Sequence, residues 1–245
     1  MIIDKLSYNS KLRYENAEVK FAFAVITLLI CVISRSAVIA LIVLVVTGVL
    51  TIKSGVPVFR YLKFLSIPFA FLFLSTIAII FDFKPFYITI NKNVVFYALN
   101  LILTSLSAVS CLYFLAFTTT IMDILSVLKK LKCPKIILEL MLLIYRFIFI
   151  LLDTAYAISI AQNARLGNIN YKTSLKSFGM LCSSLMLKAI KRSQNVYIAM
   201  QARCYDDTIN VLSSKKAKPK VKHIIMIALF DGFLLIFSIW SKFFL

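Results

Sequence analysis

Apolar runs of near-bilayer length constrain this chain more than any other feature. They cover 19–34, 36–52, 61–81, 94–121 and 224–240, and the first two are separated only by Arg35. A helix crosses the hydrocarbon core with about 20 apolar residues and satisfies its own backbone polar groups, which lipid cannot do for a loop or an open sheet edge. The expected fold is therefore an all-α integral membrane protein with about five transmembrane helices. Five glycines and five prolines in 245 residues argue against a barrel or a loop-rich architecture, since turns consume both.

The connections between the runs are equally readable. Arg35 between two slightly short runs predicts a tight helical hairpin, and Lys53-Ser54-Gly55-Val56-Pro57 reads as a turn. Pro68 interrupts the third run and predicts a kink, because it removes one backbone donor. Asp82-Phe83-Lys84-Pro85 should break the helix, and 86–93 alternates like a short β-hairpin or a loop. The fourth run is long enough to tilt or to project from the bilayer. In the last run, Asp231-Gly232 predicts a close helix contact, while Trp240 and Lys242 suit the interface.

Charge placement sets the orientation. The formal net charge is +18, and all but Arg35, Lys84, Lys92 and Lys242 of the 28 basic residues fall on one side of a five-span topology. Basic residues near span ends mark the cytoplasmic face. A multi-pass protein of the plasma membrane is expected, with the N-terminus and 122–213 in the cytoplasm and the C-terminus outside. The charged segment before the first run differs from a cleavable secretory signal, so the first span should be retained.

From Asp123 the chain changes character, which divides it into 1–121 with the first four spans, 122–213, and 214–245 with a basic linker and the last span. Lys129, Lys130, Lys132 and Lys135 surround Cys133-Pro134, where one helix should stop and another start. The apolar stretch 136–152 is marked by Glu139, Arg146 and Asp153, whose seven-residue spacing gathers them near one helical stripe. Ionisable groups at bilayer depth must face protein or water, so this helix lies either inside a bundle or at the membrane surface. A further amphipathic helix covers 171–202, with Leu175, Phe178, Leu181 and Leu185 opposed by Lys172, Lys176, Lys188, Lys191 and Arg192.

Several chemistries find no support. The glycines at 48, 55, 167, 179 and 232 form no phosphate-binding loop, and no nucleophile motif accompanies the serines. Cys31, Cys111, Cys133, Cys182 and Cys204 show neither paired spacing nor metal-ligand spacing, and the lone His223 is an interface residue rather than a ligand or a base. Neither catalytic nor metal residues are assigned, and the chain itself is expected to bind no cofactor. The lysine-rich 215–220 suits anionic lipid; it lacks the aromatics that would stack on single-stranded nucleic acid. Glu139, Arg146 and Asp153 read as a structural polar stripe, with an ion relay or an enzyme site as alternatives.

Two matching helix ends stand apart from this background. One closes Ala161-Gln162-Asn163-Ala164-Arg165-Leu166-Gly167, the other Ala199-Met200-Gln201-Ala202-Arg203-Cys204-Tyr205. A single arginine there would merely complement a helix C-terminus, worth about 0.3–1 kcal/mol. Two matching Ala-Arg endings in one cytoplasmic block instead read as a pair of plugs, with small neighbours that let each helix end enter a partner's groove.

With these motifs, the Ile3-Asp4 segment, the Gly55-Val56-Pro57 turn and Pro68, the chain resembles the transmembrane T components (EcfT/CbiQ family) of energy-coupling factor transporters, more narrowly the CbiQ-like subunits of cobalt and nickel uptake systems. The resemblance covers nearly the whole chain. It implies a non-catalytic coupling subunit whose two helix ends dock into grooves of two cytosolic ABC-type ATPases, while another face holds a membrane substrate-binding (S) subunit. Ala164, Arg165, Gly167, Ala202, Arg203 and Cys204 take the docking role by this resemblance, and ATP and Mg belong to the partner ATPases. In this family the residue after the arginine is usually glycine; here it is Leu166 and Cys204, and Gln201 stands where an acidic residue is common. The alternatives are a T component serving vitamin-binding subunits, an integral membrane enzyme with a site at Glu139, Arg146 and Asp153, and a secondary transporter, for which internal repeats are lacking.

Overall fold

The computed structural model describes residues 2–13, 15–34, 36–80, 82–84, 87–89, 92–205 and 221–244. The chain is an all-α membrane protein. Its helices are α1 (Ile2–Tyr8), α2 (Ala17–Ser34), α3 (Ala37–Lys53), α4 (Val58–Ile80), α5 (Lys92–Thr118), α6 (Ile121–Lys130), α7 (Lys135–Ala164), α8 (Tyr171–Gln201) and α9 (Val221–Phe244). Every expected apolar run forms a helix. Three of them, over Ala17–Ser34, Val58–Ile79 and Phe96–Thr118, are long and apolar enough to cross a membrane, and Ala37–Lys53 and Ile225–Ser238 are shorter apolar helices. The hairpin between α4 and α5 begins earlier than its alternation predicts: β1 (Asp82–Lys84) pairs antiparallel with β2 (Tyr87–Thr89). α4 continues through Pro68.

The chain divides into two compact units, Met1–Val127 with Ser214–Leu245, and Leu128–Ser213. In the first, α5 is the central helix and packs against α1, α2, α3 and α4, while α9 packs against α2 and α3. Its apolar core falls into three patches: Ile30, Ile39, Val43, Cys111 and Leu234; Phe23, Ala24 and Phe114; and Val56, Tyr61 and Phe117. The outward face of α4 remains apolar, with Phe59, Ile67, Phe71 and Leu74 exposed, as expected of a helix whose solvent is lipid.

Several buried hydroxyls of the unit bond to backbone carbonyls or to one another. Thr27 Oγ1 donates to the Phe23 carbonyl at 2.7 Å and Thr47 Oγ1 to the Val43 carbonyl at 2.7 Å. Ser110 Oγ on α5 joins three helices, lying 2.7 Å from Tyr61 Oη on α4 and 2.5 Å from Thr47 Oγ1 on α3. Gly48 lies beside this junction, where a Cβ would make an ordinary van der Waals contact with Tyr61 Oη at 3.5 Å.

At α9 the expected glycine contact is corrected. A Cβ on Gly232 would meet nothing within 4 Å. The close packing comes instead from Phe230, whose ring lies 6.1 Å from that of Phe23, and from the fully buried Leu234. Asp231 is 6% exposed, and its Oδ1 has no hydrogen-bond partner among the described residues. An unsatisfied buried polar group costs about 1–3 kcal/mol, so Asp231→Leu is expected to stabilise the bundle by a similar amount. Thermal unfolding in detergent measures this; a lower midpoint would mean that the carboxyl contributes a favourable interaction.

Candidate functional site: two arginine-capped helix ends

The second unit is built from two long helices, and its candidate site is the way they end. After Ala164, the Leu166 N–H donates to the Asn163 carbonyl at 3.0 Å and the Gly167 N–H to the Gln162 carbonyl at 2.8 Å. After Ala202, the Cys204 N–H donates to the Gln201 carbonyl at 3.0 Å and the Tyr205 N–H to the Met200 carbonyl at 3.1 Å. Both are Schellman caps, in which a residue in the left-handed region returns the chain to the last orphan carbonyls. Leu166 (φ 58°) and Cys204 (φ 56°) occupy that left-handed position. The two motifs therefore superpose in register, with Ala164 and Ala202 closing the last turn and Arg165 and Arg203 following as the final right-handed residues. All four are exposed.

Glycine is not needed at position 167 for its dihedral angles but for space. A Cβ there would lie 2.7 Å from Ser177 Oγ and 3.0 Å from the Gln162 carbonyl oxygen. Ser177, buried on α8, donates from Oγ to the Gly167 carbonyl at 2.8 Å, and Gln162 Nε2 donates to the Ser177 carbonyl at 2.8 Å. These bonds pin the end of α7 to the beginning of α8.

The other ends are pinned as well. Tyr205 Oη donates to Glu139 Oε2 at 2.8 Å, which ties the residue after the second cap to the first turns of α7. The two helices therefore form an antiparallel pair linked at both ends, and the arginine caps stand at opposite ends of it. With a rise of about 1.5 Å per residue, helices of this length separate the two arginines by roughly 40 Å.

The expected polar stripe does not form a site within the chain. Glu139 is engaged by Tyr205, whereas Arg146 and Asp153 are exposed, and α7 buries none of its residues. Sequence reasoning assigned no role to Ser177, Gln162 or Tyr205; Gln162 and Tyr205, which fall within the two motifs, carried a positional signal, and Ser177 carried none. A third cap of the same form ends α6: Lys132 (φ 60°) is left-handed and the Cys133 N–H donates to the Leu128 carbonyl at 3.2 Å, stopping the helix where Cys133-Pro134 predicts.

Large apolar side chains remain exposed along both helices, among them Ile136, Ile144 and Tyr156 on α7 and Phe178, Leu187 and Ile198 on α8. An apolar surface of this extent on a soluble monomer would mark an interaction face. Lipid or a partner has to cover it.

Comparison with known proteins places this architecture. A family model described as cobalt transport protein (CbiQ) matches residues 8–212. An uncharacterized protein of Methanocaldococcus jannaschii is 34% identical, with the alignment covering 98% of this chain and 94% of that one. The cobalt transport protein CbiQ of Salmonella typhimurium is 26% identical over 83% of this chain and 96% of its own. The protein of the same name from Rhodobacter capsulatus is 36% identical over 42% of each.

The caps predict opposite effects at adjacent positions. Leu166→Gly and Cys204→Gly should each stabilise the chain by about 0.5–1 kcal/mol, because the left-handed strain removed exceeds the entropy that glycine adds to the unfolded state. Gly167→Ala should destabilise it by displacing Ser177. Thermal melting of the three variants checks the order; a stabilising Gly167→Ala would contradict the close approach.

Proposed function

The chain belongs to the CbiQ cobalt transport protein family, and from that premise we propose that it is the non-catalytic coupling subunit of an energy-coupling factor importer. It is a multi-pass membrane component of a transport system. In our reading, ATP and Mg bind to two partner ABC-type ATPases, and the helix ends at Arg165 and Arg203 dock into one groove on each. Movement of the grooves is carried along α7 and α8 to the spans, which tilt or release a membrane substrate-binding subunit. Cobalt, or nickel, is the proposed cargo.

The observation that carries this reading is the pair of identically capped, exposed arginines at opposite ends of an antiparallel helix pair. A separation of roughly 40 Å, from the helical rise, suits two grooves on two subunits better than one bifurcated groove. Ala164 and Ala202 leave room for the groove walls, and each guanidinium offers a rigid fork to carboxylates. Burial in the groove would make each pair strong, since stripping one partner from a buried ion pair costs about 3–5 kcal/mol. Gly167 and Cys204 act through the caps.

This reading takes the N-terminus and the 128–213 unit as cytoplasmic and the C-terminus as outside. The parallel run of α9 beside α2, with Phe230 at the level of Phe23, supports it, because both helices would then enter from the same face. Vitamin-binding partner subunits remain the nearest variant of the proposal. An enzyme centred on Glu139, Arg146 and Asp153 has weaker support, because Glu139 is bonded by Tyr205 while Arg146 and Asp153 are exposed.

The test is co-purification with the ATPases combined with metal uptake. Arg165→Ala or Arg203→Ala should each weaken ATPase retention by roughly 100-fold or more, and the double variant should abolish uptake while the membrane unit still folds. Full uptake by the double variant would overturn the proposal.

A further inference from the structure

Lys20 is a buried cation at the wrong end of its own helix. It lies in the first turn of α2, where the helix dipole disfavours positive charge, yet it is only 7% exposed. Its position is explained by a different helix. Lys20 Nζ donates to the Thr118 carbonyl at 3.1 Å and also hydrogen-bonds to the Leu12 carbonyl. Thr118 is the last residue of α5, so its carbonyl is one that the helix cannot satisfy itself. The ammonium thus caps the C-terminus of α5, where the dipole favours it.

The cap sits just before α6, the helix in which the chain passes from the first unit into the second. Only Thr119 and Thr120 separate α5 from α6, and both are buried together with Thr118. Thr118 Oγ1 donates to the Phe114 carbonyl at 2.7 Å and Thr119 Oγ1 to that of Leu115. The Ile124 N–H then returns to the Thr120 carbonyl at 3.1 Å to start α6. Through Leu12, the same lysine grips the N-terminal segment, whose Lys11 N–H donates to the Ser54 carbonyl at 2.9 Å in the turn after α3. One ammonium therefore joins the N-terminal segment, α2 and the end of α5 at the root of α6.

We propose that Lys20 is a positioning residue for energy coupling: it clamps the α5–α6 joint to the span bundle, so that force arriving along α6 moves the spans instead of bending the joint. This inference rests on the coupling role proposed above. A joint free to flex would let the ATPases cycle without moving the bundle, so loss of the clamp should separate hydrolysis from transport.

The experiment reconstitutes the chain with its ATPases and substrate-binding subunit in proteoliposomes and compares Lys20→Met, which keeps the length but donates nothing, with Lys20→Arg. Lys20→Met is expected to retain its ATPases and hydrolyse ATP near the wild-type rate while uptake falls about tenfold, in line with the loss of a charge-assisted hydrogen bond. Lys20→Arg should recover most of the uptake. Unchanged uptake in Lys20→Met, or a parallel fall of hydrolysis and uptake, overturns the proposal. Should Lys20→Met fail to fold, the double substitution Thr119→Gly with Thr120→Gly decides, because it loosens the joint and leaves Lys20 in place. Uncoupled hydrolysis there supports the clamp, and full coupling overturns it. A wild-type chain that retains no ATPase would defeat the coupling role itself, and this inference with it.

Discussion

The last carbonyls of every helix must find donors, and this constraint shapes both units of the chain. Water cannot reach such groups inside a bilayer, and those of a surface helix must stay clear of any groove the helix end enters. In the membrane unit, a lysine borrowed from α2 meets the α5 terminus. In the second unit the backbone does the work, through left-handed residues after Ala164-Arg165 and Ala202-Arg203. Satisfying the carbonyls internally leaves the guanidinium of each arginine available for a partner, because the helix end no longer needs it.

The same economy of donors runs through the bundle. Thr27, Thr47 and Thr51 return their hydroxyls to carbonyls one turn back, and Ser110 then links α3, α4 and α5. Such bonds between membrane helices average about 0.6 kcal/mol, so they align α5 with its neighbours more than they hold it. The apolar contacts of its Phe114 with Phe23 and Ala24, and of its Phe117 with Val56 and Tyr61, carry the packing. The pattern lapses at Asp231 on α9 and Ser34 at the end of α2, each of which buries an oxygen with no partner among the described residues.

How far the sequence disclosed this depends on the range of each interaction. Apolar runs, the Pro57 turn and the stop at Cys133-Pro134 follow from local composition and were legible. The two Ala-Arg endings were legible because repetition is itself a signal. Their shared geometry was not, since Leu166 and Cys204 are poor candidates for a left-handed residue and only the bonds they close explain their presence. Gly232 misled, because a glycine in an apolar helix looks like a contact whether or not a neighbour arrives. The surroundings of Glu139, Arg146 and Asp153 were not legible for a related reason. Seven-residue spacing shows that residues share a face, while the Tyr205 hydroxyl that bonds Glu139 lies 66 residues away.

Non-glycine residues at the caps also bear on how stiff the proposed docking ends are. A glycine after the arginine would reach the left-handed region freely, and many others besides. Leu166 and Cys204 have a narrower choice, so that once the cap bonds form, few alternative geometries compete with them. The cost is strain of about 1–2 kcal/mol at each end, offset by the two cap bonds and, at the first end, by the Ser177 and Gln162 contacts. A stiff end is what a lever requires: an arginine anchored in a moving groove transfers displacement to its helix only if the turn beneath it does not unwind first. On that argument the strained caps and the clamped α5–α6 joint serve one requirement, at opposite ends of the path that the motion would take.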